Sequence, residues 1–322
     1  MSQSGRPPHQ RSRAGVVLAV AVGPMLPCAP SVLPGPDCVR LRTGVPLPGA
    51  LDESSGVALG IRNPSVLWTH NDDGSTLFAV DSTGALLGSR PVRPELRDWE
   101  DLAVAPCEAH GSCLYMADTG DNAERRPAGS IQIRRVAEPS LSGAEPSRSG
   151  AEPSLSGAEP ALSADGEALR TEVFPVRLPE GPRDIEGLFV LPGERVHLVT
   201  KGRNHAVTVY RYPGPLRPDT VTLDEVQRLT AGARPVADQV TGAGAMAGDE
   251  EIVVLRTYQA MAFYRVDGDT LSPLPDGQVN LRVLGEPQGE AVALGPAGLV
   301  VLTSEAGVFG SPGSMNLLRC GV

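Results

Sequence analysis

The sequence predicts an all-β chain: a single β-propeller of five blades, its ring closed by an N-terminal strand that completes the last blade. Three observations predict it. Five short segments, at 52–58, 98–103, 184–189, 240–246 and 288–293, each run from a polar or acidic turn through a small residue into an apolar strand. A second apolar run follows each (66–68, 113–115, 196–198, 252–255 and 299–302), and four units carry a third (77–80, 131–133, 207–210 and 261–264). Sheet units that recur about every 45 residues, with turn chemistry between strands, are a propeller's signature.

The remaining strands follow from the blade order. Residues 38–43 are expected to be the outer strand of the last blade, which otherwise holds 288–293, 299–302 and 316–320. Outer strands of the other blades are expected at 86–89, 171–176, 221–226 and 279–283. Five blades account for every strand named, and a sixth stays open if two weak units have been merged.

Composition sets bounds on function. With 37 Gly and 31 Pro the chain is turn-rich, and at 4 % aromatics its core must rest on Val, Leu, Ile and Ala. A net charge of −10 argues against nucleic acid, whose phosphates demand a basic face, and against anionic membranes. Residues 1–30 read as a leader: Arg6, Arg11 and Arg13 precede an apolar run over 14–26, too short to span a bilayer. A secretory signal peptide is expected; the lipoprotein alternative would end at Cys28, against which Pro27 stands as a poor neighbour. The propeller then occupies 31–322, at a secreted, periplasmic or cell-surface location, with no transmembrane span and as a monomer.

Four cysteines remain, and an even count in an exported chain favours disulfides. Cys107 and Cys113 flank one loop, while Cys38 and Cys320 lie at the two ends that a propeller brings together. The pairs Cys107–Cys113 and Cys38–Cys320 are expected, the second closing a loop long enough for about 4–5 kcal/mol in chain-entropy models. Residues 137–164 are four near-copies of a heptapeptide with a Pro in every copy, read as a disordered rim insertion.

The inner strands of a propeller line its channel, so Glu53, Glu100, Asp101, Glu186 and Glu290 are expected to converge at the mouth. Blade four breaks the pattern with Thr241-Gly242-Ala243. Several carboxylates around one axis cannot all ionise uncompensated, and a hard cation such as Ca2+ would compensate through oxygen ligands. The same acids can instead serve turn N–H groups and ion pairs. A second ring is expected at the ends of the second strands: His70, Asn71, Asp72, Asp118, Lys201, Arg256 and Glu305. Asp118 and Asp121 sit in an oxygen-rich turn of calcium-ligating type, though without the twelve-residue EF-hand loop. Lys201 and Arg256 would hold an anionic ligand or neutralise the acids.

The segments Glu53-Ser54-Ser55-Gly56, Leu67-Trp68-Thr69-His70-Asn71-Asp72, Asp98-Trp99-Glu100-Asp101, Asp118-Thr119-Gly120-Asp121-Asn122 and Val254-Leu255-Arg256-Thr257-Tyr258 resemble a family of secreted, largely uncharacterised bacterial β-propellers. More distantly, the Glu-Gly-apolar-Ala pattern resembles phytase-like and esterase-like propellers. That distant resemblance implies Glu100, Asp101, Asp118, Glu186 and Glu290 as metal candidates and Lys201 and Arg256 as phosphate candidates. The functional expectation is an exported propeller binding Ca2+ and a small anionic ligand at its mouth, with metal-assisted ester or phosphoester hydrolysis as its enzymatic form. The alternative is a non-catalytic module for an extracellular protein or glycan partner. No Gly-x-Ser-x-Gly elbow, His-Glu-x-x-His helix or P-loop is present.

Overall fold

The structure, a computed structural model, describes residues 36–141, 167–246 and 251–322. The expected leader and the insertion from residue 142 to 164 lie outside them. Strand β1 (Val39–Pro46) enters blade one, built from β2 (Ser54–Leu59), β3 (Leu67–Asn71), β4 (Thr76–Val80) and β5 (Leu86–Arg93). Blade two is β6 (Trp99–Ala105), β7 (Cys113–Asp118), β8 (Ile131–Ala137) and, past the short β9 (Leu169–Arg170), β10 (Glu172–Arg177). Blade three is β11 (Ile185–Leu191), β12 (Arg195–Thr200), β13 (Thr208–Arg211) and, past β14 (Val221–Thr222), β15 (Asp224–Arg228). Blade four is β16 (Val240–Met246), β17 (Ile252–Thr257), β18 (Ala260–Asp267) and β19 (Thr270–Asn280). Blade five is β20 (Gln288–Gly295), β21 (Leu299–Glu305) and β22 (Ser314–Arg319), with β1 as its outer strand.

The three pairings within each four-stranded blade are antiparallel, and the ring closes through β1 on β22, as the strand count predicts. Two parallel straps join blades at the rim: β9 lies on β5, and β14 on β10. The second strap corrects the expected outer strand at 221–226. Val221 and Thr222 pair with blade two, buried Leu223 anchors the crossing, and only Asp224–Arg228 edges blade three. Blade four's outer strand also differs from the expected 279–283: it begins at Thr270, and Arg282–Leu284 is a short 3-10 turn. The prolines at 273 and 275 conceal this strand in the sequence, because proline is tolerated in a ladder only at edges and bulges.

Inner and second strands such as Ile252-Val253-Val254-Leu255 are buried along their whole length, not on alternate positions. Each lies between two neighbouring sheets, so both faces are covered, and a continuous apolar run is what that place selects. The core accordingly divides into five clusters, one in each seam between adjacent blades. Small residues (Ala58, Ala103, Gly244, Ala245 and Ala293) face the axis and leave a cavity of about 50 Å³.

Both expected disulfides are present. Cys38–Cys320 spans 282 residues and sits in the seam of blades four and five. The closing strand β1 needs it: most of its residues are exposed, and its pairing with β22 slips register twice. Replacing Cys38 and Cys320 together by serine is therefore expected to cost about 2–5 kcal/mol of stability. Equal denaturant midpoints for wild type and variant would show that strand pairing alone holds β1.

Candidate functional site

The mouth of the channel is built by one repeated irregularity. Every inner strand slips its pairing once, between 54 and 56, 99 and 101, 185 and 187, 240 and 242, and 289 and 291. The bulged residues are Ser55, Glu100, Glu186, Thr241 and Glu290, all buried. A bulge re-aims its side chain, and here five bulges aim at one place. The hydroxyls of Ser55 and Thr241 donate to the carbonyls of Glu100 and Glu290 on the next blade, each at 2.8 Å. The glutamates, longer by two bonds, extend into the mouth. Glu53, expected in this ring, is not part of it; Ser55 takes blade one's place, because the pairing slip lies two residues later than the acidic turn suggests.

Asp101 closes the axis beneath the ring. Its Oδ1 accepts the N–H of Leu102 at 2.8 Å, and its Oδ2 accepts those of Leu188 at 2.7 Å and Ala243 at 3.1 Å. One carboxylate thus ties blades two, three and four. The other blades place Gly56, Gly187, Gly242 and Ala291 at the equivalent position, since little room remains around the axis: a Cβ on Gly242 would stand 2.9 Å from the Glu290 carbonyl. Burial pushes the Asp101 carboxyl well above the usual range, against the pull of its three N–H donors. Its oxygens are spent on backbone, which corrects the expectation of a metal ligand.

Three more expected site residues are similarly engaged. Asp118 lies buried between Arg126 and Arg134, at 3.1 and 3.0 Å. Asp121 accepts the N–H groups of Arg125 and Arg126 at 2.8 and 2.7 Å, capping its own turn. Arg256, wholly buried, pairs with Glu286 and donates to the carbonyls of Ala291 and Thr303. His70 does not reach the mouth either. Its ring is buried and stacked on Trp99 at 3.8 Å between centroids, and Nδ1 lies 2.9 Å from the Asn71 carbonyl. That makes Nδ1 the donor and leaves Nε2 bare against Gly56, where burial holds the ring's pKa down to about 3. Asn71 braces the turn before β2, accepting the Glu53 N–H and donating to the Ala50 carbonyl.

What the structure does bring together is Glu100, Asp184 and Glu186, one oxygen from each lying within 4.8 Å of the others. Asp184, which the sequence reading passed over, enters from the turn before β11. Its Oδ1 accepts the Asp121 N–H at 2.9 Å, while Oδ2 is buried without a hydrogen-bond partner. Lys201 donates from Nζ to Glu186 Oε1 at 2.6 Å and stands 3.9 Å from that Asp184 oxygen. Gly120 completes the wall, since a Cβ there would meet Glu100 Oε1 at 2.0 Å and Asp98 Oδ2 at 2.6 Å. Glu290 faces the same space and receives the Gln288 amide at 2.8 Å.

Charge is crowded here. Burial, then the charge of Glu186, raises Glu100 well above the usual carboxylate range. Burial likewise raises Glu290, with Glu186 and Glu305 adding to it, and lifts Glu186 itself to about 7 despite Lys201. Across the mouth, Glu305 is lifted to about 7 by burial and by Asp72 and Glu53, and Glu53 is raised first by Asp72. Against these acids Lys201 is the one buried ammonium, its charge opposed by burial and sustained by Glu186. Tyr258 lies beside it, its ring centroid 5.9 Å from Nζ. A surface cavity of about 1000 Å³ on blade four's outer strands shares no residue with this cluster.

No family model and no curated protein matches the chain. Among solved structures it is similar to the PQQ-bound aldose sugar dehydrogenase of Streptomyces coelicolor, 14 % identical over 90 % of this chain and 99 % of that one, TM-score 0.44. It is also similar to a gluconolactonase of Xanthomonas campestris (13 % identity, 92 % and 99 % covered, TM-score 0.41). A third is virginiamycin B lyase of Staphylococcus aureus, solved with Quinupristin (10 % identity, 86 % and 98 % covered, TM-score 0.39). Likeness at this level assigns no activity to the chain.

Two predictions follow from these contacts. Asp101→Ala strands three buried N–H groups and is expected to cost about 3 kcal/mol or more in chemical denaturation; a loss under about 1 kcal/mol would mean that water replaces the carboxylate. For His70, the folded pKa lies below the unfolded value near 6.5, so stability is complete above that pH and falls as pH drops toward about 3. His70→Phe, which keeps the stack on Trp99, should flatten the stability–pH slope between pH 6 and 4 by about 1.4 kcal/mol per pH unit. An unchanged slope would place the acid sensitivity elsewhere.

Proposed function

We propose that the mouth binds a divalent cation, Ca2+ foremost, through Glu100, Asp184 and Glu186. The observation that carries this reading is Asp184, whose Oδ2 is buried without a hydrogen-bond partner and which has an oxygen within 4.8 Å of those of Glu100 and Glu186. Buried polar atoms are as a rule satisfied, and an oxygen-only donor set suits a hard cation. The like-charge crowding at Glu100 and Glu290 supports it as well, since a cation would relieve it.

The ligand of this proposal is a small anion, and Arg203 is the residue that would meet it. Lys201 is committed to Glu186 and Arg256 to Glu286. Arg203 is 36 % exposed at the mouth, 3.9 Å from Asp184 Oδ2, and makes no hydrogen bond among the described residues. A bound cation would supply polarisation of the anion and acidify a coordinated water, the basis for ester or phosphoester hydrolysis. The second reading, a binding module without turnover, is favoured by the state of two histidines: His70 is buried away from the mouth and His205 lies 3.2 Å from Glu124. An exported location accompanies both readings. It is supported by the two disulfides, and among the described residues no helix is long and apolar enough to cross a membrane.

Thermal melts in EDTA and in millimolar Ca2+ test the cation. Wild type is expected to gain stability by mass action, about 2.7 kcal/mol at a hundredfold excess over Kd. Asp184→Asn should melt higher than wild type in EDTA, through relief of charge crowding, yet lose the Ca2+ gain. An equal gain in wild type and variant, or none with any divalent cation, would sink the proposal. Turnover of phosphate and carboxylate esters, present in wild type and lost in Arg203→Ala, would decide between enzyme and binding module.

A further inference from the structure

Two adjacent apolar side chains on the mouth face stand wholly in water. β21 ends at Glu305, and the loop joining it to β22 runs Ala306-Gly307-Val308-Phe309-Gly310-Ser311-Pro312-Gly313. Val308 is 94 % exposed and Phe309 100 %, whereas the other four phenylalanines are buried. The loop's own hydrogen bonds present this tip. The Gly310 N–H donates to the Gly307 carbonyl at 2.8 Å, closing a β-turn with Val308 and Phe309 at its centre, and the Gly307 N–H donates to the Ser311 carbonyl at 2.8 Å. The base of the loop is tied to blade one: the Ala306 N–H donates to the Asp52 carbonyl at 2.6 Å, and the Leu47 N–H to the Gly313 carbonyl at 2.9 Å. Pro287 packs against it, since a Cβ on Gly307 would stand 3.2 Å from the proline. Single exposed apolar residues are ordinary, but an adjacent pair presented by a pinned turn is a contact surface.

The charge around the tip selects its partner. No lysine or arginine occurs in residues 283–318, 43–61 or 63–89, which make up most of blades five and one. On the mouth side these stretches carry Asp52, Glu53, Asp72, Asp73 and Glu305, none of which is in an ion pair among the described residues. Asp72 and Glu53 add to burial in lifting Glu305 to about 7, so an incoming cation would relieve this side of the mouth. A bilayer suits the apolar tip but not the acids, which an anionic lipid surface repels. A second copy meeting the tip about a two-fold axis would set the same acids against each other. A basic segment fits both features, because its apolar groups cover the tip and an exposed phenyl ring also takes a cation on its face. We propose that the Val308–Phe309 tip and the acids beside it dock a basic, amphipathic segment of another polypeptide. Its apolar side chains would lie on Val308 and Phe309, and its lysines or arginines against the acids. Opposite charge speeds the encounter, and the apolar tip holds the complex. This surface does not depend on a cation among Glu100, Asp184 and Glu186.

Fluorescence anisotropy of a labelled peptide, Lys-Leu-Lys-Leu-Lys-Leu-Lys, measures docking on the full chain. Millimolar Ca2+ is present throughout, so that the cation site stays in one state. Binding is expected to weaken about tenfold or more in Val308→Ser with Phe309→Ser, the scale of losing a central anchor. That variant should melt with wild type, because neither side chain is packed. Asp72→Asn with Asp73→Asn should weaken binding at low salt and converge on wild type near 1 M salt, where the screening length is about 3 Å. A peptide of lysines alone should bind more weakly, and Glu-Leu-Glu-Leu-Glu-Leu-Glu should not bind. Failure of the Lys–Leu peptide to bind, equal binding by wild type and the serine variant, or equal binding of the Glu–Leu peptide would each overturn the proposal. So would flotation with phosphatidylcholine vesicles that the serine variant loses, which makes lipid the occupant. A dimer in sedimentation that the serine variant dissociates would overturn it too, by making a second copy the occupant.

Discussion

Five inner strands meeting at one axis leave room for very little, and what fills that space governs the rest of the molecule. Asp101 occupies it, its two oxygens accepting N–H groups from blades two, three and four. Four other blades answer with glycine or alanine at the same position, because a second side chain would strike backbone or a neighbouring ring. Directly above, each inner strand inserts one extra residue, and the bulge turns that residue toward the mouth. Packing at the axis and chemistry at the mouth are consecutive residues of one motif.

Crowding of acids at the mouth follows from that construction. The bulge positions of blades two, three and five carry glutamate, while serine and threonine in blades one and four are short enough to bond the next backbone. Lys201 offsets part of the charge through Glu186, and Asp184 Oδ2, with Lys201 and Arg203 each 3.9 Å away, is left without a hydrogen bond. Several other buried charges have direct partners, although the Nε atoms of Arg126, Arg134 and Arg256 are, like Asp184 Oδ2, without a hydrogen-bond partner. Asp118 has two arginines, Arg256 has Glu286 and two carbonyls, and Glu138 has four donors. Among the described residues Asp184 Oδ2 is the buried carboxylate oxygen without such a partner, and it directs the cation proposal to Asp184 rather than to the more conspicuous turn at Asp118-Thr119-Gly120-Asp121.

Much of the fold was legible because its signals are local and repeated. Apolar runs such as Ile252-Val253-Val254-Leu255, separated by turns, mark strands whatever their neighbours are, and five recurrences count the blades. Blade four's outer strand was obscured for an equally local reason, its two prolines. The site was half legible. Glu100, Glu186, Glu290 and Lys201 do meet, as their equivalent places in the repeat implied. Asp184 was hidden because it precedes its strand like any turn aspartate. Glu138, within the span read as a disordered insertion, is buried, and this was hidden because that burial depends on Trp68 and Ser112, residues some seventy and twenty-six positions away in the chain.

The sequence by itself pointed to the propeller with five units, a sixth left open, and to the closure through β1 and both cysteine pairs, since these follow from periodicity and from where a closed ring must bring its ends. Only the tertiary structure decided which charges remain available. Glu53 and Ser55 are two residues apart, and a pairing slip of one residue sends the serine, not the glutamate, into the ring. Asp101 and Glu100 are adjacent, yet one is spent on backbone and the other faces the mouth. A carboxylate's role is set by the donors within about 3 Å of it. Those donors come from other blades, whose juxtaposition no local stretch of sequence encodes.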